Sequence, residues 1–110
     1  MEMIRIHLIE NSWLARMAAW KLRTKRCAIV LGDRIFLHGI TENEILKDVA
    51  LLRHEVCHVL QWKRMGYIGF LFSYLWWSLR YGYYQNPLEQ EARDAEKDLE
   101  ILKKILIHRK

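Results

Sequence analysis

The segment from Thr41 to Arg64 constrains the fold most. It opens with Thr41-Glu42-Asn43-Glu44, a hydroxyl at the cap position and a carboxylate three residues on, and continues without glycine or proline as far as Gly66. A capping box leading into an uninterrupted stretch predicts one long central helix over this range. On a wheel of about 100° per residue, Ile45, Val49, Leu52, Val56, Val59 and Leu60 gather into a single apolar stripe. His54 and His58 fall nearly opposite that stripe.

The remainder of the chain supplies elements of both kinds. Alternation of apolar and polar residues from Met3 to Ile9 predicts a short strand. Asn11-Ser12 offers a helix cap. Trp13, Leu14, Met17, Ala18 and Lys21 then follow at helical spacing, so a helix to about Arg23 is expected. Cys27 to Leu31 and Arg34 to His38 flank Gly32-Asp33, a two-residue hairpin signal in which glycine supplies a positive φ. Tyr67 to Leu79 reads as an aromatic helix, in which Trp76 and Trp77 are expected to cover the bundle. Asn86-Pro87 is a cap followed by proline at the first helical position, and predicts a last helix running to about Leu106. Its apolar stripe would be Leu88, Ala92, Ala95, Leu99, Leu102 and Leu106.

Composition narrows the class. The chain has 110 residues, 52% of them hydrophobic, enough for one compact domain over 1–110 and too few for two. Tyr67 to Leu79 is too short to cross a bilayer as a helix, although weak contact with a membrane surface remains open to such an aromatic segment. The N-terminus lacks the basic-then-apolar pattern of a secretory leader, so the cytoplasm is the expected compartment and Cys27 and Cys57 are expected as free thiols. Net charge is +5, and Asn11 to Gly32 carries Arg16, Lys21, Arg23, Lys25 and Arg26 without one acidic residue. This basic stretch reads more simply as a solvated face than as a nucleic-acid site.

The chemistry is concentrated in His54-Glu55-Val56-Cys57-His58, an H-E-x-x-H pattern inside the central helix. Residues four apart on a helix have Cβ atoms about 5–6 Å apart, so both imidazoles can close on one metal with bonds of roughly 2.0–2.1 Å. Glu55 is rotated about 100° from His54, which sets its carboxylate beside a water on the metal, where a general base belongs. Imidazole and carboxylate donors favour Zn2+, and three protein ligands leave a position for that water. A third ligand is needed, and Glu89 is the first choice, with Glu91 the alternative because it lies nearer the centre of the last helix's apolar stripe. Glu89 also stands where a capping-box partner of Asn86 would. Gln61 lies within about 60° of the histidine face and is a candidate for hydrogen bonding there, or for exposure. Tyr81, Tyr83 and Tyr84 are candidate donors to a developing oxyanion, with aromatic packing the plainer role.

These residues resemble the gluzincin metallopeptidases, in which a glutamate from a later helix completes the H-E-x-x-H site. Glu89-Gln90-Glu91-Ala92-Arg93 matches the family's Glu-x-x-Ala-Asp form at the glutamate and the alanine. The departure is Arg93, where the family carries a carboxylate that orients a histidine; Glu91 and Asp94 are candidates to substitute. In size the chain is similar to the minigluzincins. The resemblance implies an α+β, zincin-like fold, with a small sheet and hairpin packed on a long H-E-x-x-H helix, an aromatic helix and a C-terminal glutamate-bearing helix. It also implies a zinc-dependent peptidase with Glu55 as general base, acting on peptide or protein substrates, whose hairpin's outer strand pairs with an extended peptide. The alternative is a catalytically silent zinc-binding scaffold. His108 and the basic C-terminal tail are candidates to fold over the metal as a plug.

Overall fold

The computed structural model describes residues 4–108; residues 1–3, with Met3 at the start of the expected first strand, and residues 109–110 lie outside that range. In chain order the elements are β1 (Ile4–Ile9), α1 (Trp13–Leu22), β2 (Cys27–Leu31), β3 (Arg34–His38), α2 (Glu42–Lys47), α3 (Val49–Tyr81), α4 (Pro87–Ala95), a 3-10 turn (Ile101–Lys104) and β4 (Ile105–His108). The architecture is α+β: a four-stranded sheet of order β2-β3-β1-β4 packed with a long central helix. β1 runs parallel to both β3 and β4, whereas β2 is antiparallel to β3 and forms an edge of the sheet.

The local signals explain most of these elements. Period-two alternation in β1 buries Ile6 and Leu8 completely, and Ile35 and Leu37 do the same in β3. Each such side chain contributes about 1.5–3 kcal/mol of burial. The hairpin turns at Gly32, whose φ of 64° is open to glycine at little cost. The capping box is present in full: Thr41 Oγ1 accepts from Glu44 N–H at 3.0 Å, and Glu44 Oε1 accepts from Thr41 N–H at 2.9 Å.

The structure corrects the helices in four places. The expected single helix after Thr41 breaks at Asp48, which leaves helical geometry (φ −88°, ψ 81°) and caps α3 by accepting from Leu51 N–H. Ile45 and Leu52 are buried on either side of the break, while Val49, now the first residue of α3, is exposed at that end although it shares the face of Val56. The inward face of α1 is Ser12, Ala15 and Ala19, because close approach to the sheet needs small side chains; Trp13 and Met17 point outward. The last helix stops at Ala95, about eleven residues short of expectation, and the chain returns through the 3-10 turn to pair β4 with β1. Trp76 does not cover the bundle but is exposed.

Gly66 is the pivot of α3. It sits at φ 76°, ψ 166°, a combination essentially confined to glycine, and the helix changes direction there. Sixteen residues of straight helix would separate His58 from Tyr74 by about 24 Å along the axis. Instead their ring centroids lie 6.5 Å apart, and Trp62 stacks on Phe70 at 4.3 Å. The segment after Gly66 therefore folds back over the one before it. Asn86, fully buried, fixes α4 to that returning segment by donating from Nδ2 to Tyr74 O and Ser78 Oγ, while its Oδ1 accepts from Leu88 N–H.

Candidate metal centre

Three segments of two helices converge on one point. The first half of α3 presents His54 and His58 one turn apart, α4 presents Glu89, and the returning half of α3 presents Tyr74. Glu89 Oε1 lies 3.2 Å from Nε2 of His54 and 3.2 Å from Nε2 of His58. Ligand atoms of these three residues all lie within 4.8 Å of one another. Tetrahedral zinc with bonds near 2.05 Å separates its donors by about 3.3 Å, so the spacing and the donor types both suit a divalent ion such as zinc.

The imidazoles are held from behind with their tautomers set. His54 Nδ1 is 2.8 Å from Glu96 Oε2, an acceptor when ionised. His58 Nδ1 is 2.8 Å from Gln61 Oε1. The amide of Gln61 cannot be turned round, because its Nε2 faces two acceptors, Leu88 O at 2.9 Å and Glu91 Oε1 at 2.7 Å. Gln61 Oε1 must therefore accept from His58 Nδ1–H, which leaves the lone pair of the neutral ring on Nε2, toward Glu89. Gln61 is completely buried, so of its two expected situations the hydrogen-bonded one is found. Tyr74 O–H donates to Glu89 Oε2 at 2.6 Å, which leaves Oε1 alone to face the rings.

Electrostatics follow from this packing. Burial acts to depress His54, but hydrogen bonds to Glu89 and Glu96 outweigh it and raise its pKa to about 9. His58 is raised in the same way, against its burial, chiefly by Glu89. Glu89 is pushed upward by burial, yet the two histidines hold it well below the usual carboxylate range. Glu55, buried in the cleft wall, is raised to about 7 by desolvation, with His58 and His54 opposing. A carboxylate poised there can take a proton and return it near neutral pH.

The other candidate residues separate cleanly. Glu91 does not face the histidines; it accepts from Gln61 and Arg64. Arg93 stacks its guanidinium 3.9 Å from the Tyr84 ring centroid, and the orienting role missing at that position belongs to Glu96, not to Glu91 or Asp94. Glu96 stands seven residues after Glu89, two turns along the same face, and that spacing was the available signal. Tyr74 was legible only once the chain was known to reverse at Gly66. Of Tyr81, Tyr83 and Tyr84, only Tyr83 lines the cleft, while Tyr81 stacks on Trp77. Burial, then Glu89, pushes the Tyr83 hydroxyl up to about 12, so it is a neutral donor at ordinary pH. His108 lies in β4 opposite His7, so this part of the C-terminal segment belongs to the sheet and does not plug the site. Cys27 and Cys57 are free, and burial pushes the Cys57 thiol up to about 12.

The cleft has a volume of about 280 Å³ and is walled by all of β2, by His54, Glu55 and His58, and by Tyr83 and Glu89. Trp62 Nε1 donates to Val30 O at 3.1 Å and ties β2 to α3 beside the site. Compared with family models, with curated proteins and with solved structures, the chain matches none.

Proposed function

We propose that this chain is a zinc-dependent peptidase of the zincin type, of gluzincin-like design, with His54, His58 and Glu89 as metal ligands and Glu55 as general base. The observation that carries this reading is the convergence of both Nε2 atoms on one oxygen of Glu89, beside a buried carboxylate in a cleft bordered by a sheet edge. When bound, zinc supplies Lewis acidity that acidifies water and polarises a carbonyl.

The chain's own residues do the rest. Glu55 accepts a proton from the attacking water and delivers it to the leaving amine; burial keeps its affinity for that proton high enough for both steps. Glu96 and Gln61 hold the two imidazoles in the tautomer and direction that the site needs, and Tyr74 keeps Glu89 to one coordinating oxygen. Edge strand β2 offers backbone donors and acceptors to an extended substrate, which fits a peptide or protein as the class cleaved. Tyr83, lining the same cleft, is the donor available to the oxyanion.

The test is a peptide-library cleavage assay with added zinc on the parent chain and on Glu55→Gln. Cleavage by the parent, lost in Glu55→Gln while zinc content is unchanged, is the expected result. Zinc bound by both proteins with no cleavage by either would refute the peptidase and leave a metal-binding scaffold.

A further inference from the structure

Strand β2 borders the cleft along its whole length, yet little of its outer edge is open. Leu31 pairs with Arg34 across the two-residue turn, and the alternate residues Ile29 and Cys27 pair with Phe36 and His38. In an antiparallel ladder closed by such a turn, these pairs exchange the backbone hydrogen bonds. The N–H and C=O groups of the residues between them, Ala28 and Val30, therefore turn to the free edge. Arg26, two residues before Ala28, has the same parity.

Side chains occupy both ends of this row. Val30 O accepts from Trp62 Nε1–H at 3.1 Å. At the other end the Thr24 hydroxyl donates to Arg26 O at 3.1 Å and accepts from Arg26 N–H at 3.4 Å, so one group serves both. What remains is Ala28 N–H, Ala28 O and Val30 N–H. The Cys27 thiol approaches Ala28 O at 4.0 Å, but a thiol is too weak a donor to hold that oxygen against an amide. Edges are ordinarily blunted along their length by charge, by proline or by a covering element. Cys27–Leu31 contains neither a charged residue nor proline, and its cover is confined to the ends. The uncovered middle opens on the cleft that holds His54, Glu55 and Glu89. One full residue of ladder is too short to join another sheet, but it can fix the register of a single extended segment.

We infer that Ala28 is the residue on which a bound polypeptide is registered, and that Thr24 and Trp62 are positioning residues that stop its pairing with β2 on either side. That the occupant is a substrate rests on the peptidase reading. Ala28 and Val30 are about 7 Å apart along the strand, so the segment need be extended over about three residues only. The substrates are then loops and tails of polypeptide rather than strands of formed sheets.

The probes are tetra-alanine peptides carrying a hydroxamate, a zinc-chelating group, at the C-terminal end in one set and at the N-terminal end in the other. Each backbone amide is N-methylated in turn, and dissociation constants with the zinc-loaded chain are read by isothermal titration calorimetry. In one of the sets a single N-methyl group should weaken binding by about tenfold, through the lost bond to Ala28 O and the methyl set against the strand, and the others by less than about twofold. Trp62→Phe keeps a ring against Phe70 and frees Val30 O, so a second amide two residues from the first should become sensitive. Thr24→Val frees Arg26 O and should do the same on the other side; Thr24 is exposed, so this variant serves if thermal unfolding shows that Trp62→Phe does not fold. Hydrogen exchange needs neither probe nor metal: in the free chain the Ala28 amide should exchange at least about tenfold faster than those of Ile29 and Leu31. Several sensitive amides in the parent, none in either set, a pattern unmoved by the substitutions, no binding by either set, or equal protection of the three amides would overturn the inference. Selective probe binding without cleavage of any library peptide would refute the peptidase and leave registration at Ala28 standing. Cleavage combined with indifference to N-methylation would do the reverse.

Discussion

Replacing Tyr74 by phenylalanine isolates one hydroxyl. The ring keeps its stacking on Phe70, with centroids 5.6 Å apart, so packing is retained and only the bond to Glu89 Oε2 is lost. That bond is short, 2.6 Å, and its acceptor is an ionised carboxylate that is 3% exposed. Hydrogen bonds to charged groups contribute about 1.5–3 kcal/mol, and a buried acceptor left unpaired places Tyr74→Phe toward the upper part of that range. A chain of 110 residues has an unfolding entropy of roughly 0.23 kcal/mol per degree, so the melting temperature should fall by about 7–13 °C. Zinc affinity should fall as well, by about 10–100-fold, because Glu89 loses the contact that fixes which oxygen it offers. Differential scanning calorimetry reads the first effect and zinc competition against a chromogenic chelator the second. A melting temperature within a degree or two of the parent, together with unchanged zinc affinity, would refute the reasoning about how Glu89 is held.

Two further outcomes follow from other parts of the chain. Gly66→Ala should destabilise by about 1–3 kcal/mol, read as a shift of the urea midpoint. The cause is the backbone alone, since nothing lies within 4 Å of the added methyl group, and an unshifted midpoint would contradict the assigned conformation. Glu44 is held below its ordinary value of 4.5 by the Thr41 backbone N–H, then by the Thr41 side chain. Its folded pKa is depressed, so its contribution is complete above about pH 4.5 and is lost as pH falls through the lower folded value. The stability gap between the parent and Glu44→Ala should therefore close as the solution is acidified below pH 4.5, and a gap that widened instead would show the sign to be wrong.

What the sequence made legible was local. The hairpin at Gly32, the capping box at Thr41, the cap at Asn86 and the one-turn spacing of His54 and His58 are each written within a few neighbouring residues, and the structure has all four. What it hid was set by contacts between distant parts. Leu99, Leu102 and Leu106 keep a helical rhythm past Ala95, but pairing of Ile105–His108 with β1 overrides it. The wheel for α1 favoured its bulkiest side chains, whereas the sheet selected Ala15 and Ala19. Asp48 is compatible with a helix interior, and Ile45, Val49 and Leu52 share one face of an unbroken helix, so their spacing carries no signal of the break. At the site, the order of preference between Glu89 and Glu91 was open to sequence reasoning, but Glu96 and Tyr74 depend on how α4 and the reversed half of α3 pack on the histidines.

Titration of zinc into the chain by isothermal calorimetry, run beside Glu89→Ala and Glu91→Ala, addresses the claim on which the rest depends. About one zinc per parent chain is expected, with binding severely weakened in Glu89→Ala and close to parental in Glu91→Ala. No zinc bound by the parent, or Glu89→Ala binding as tightly as the parent, would contradict the assignment of His54, His58 and Glu89 as one metal centre.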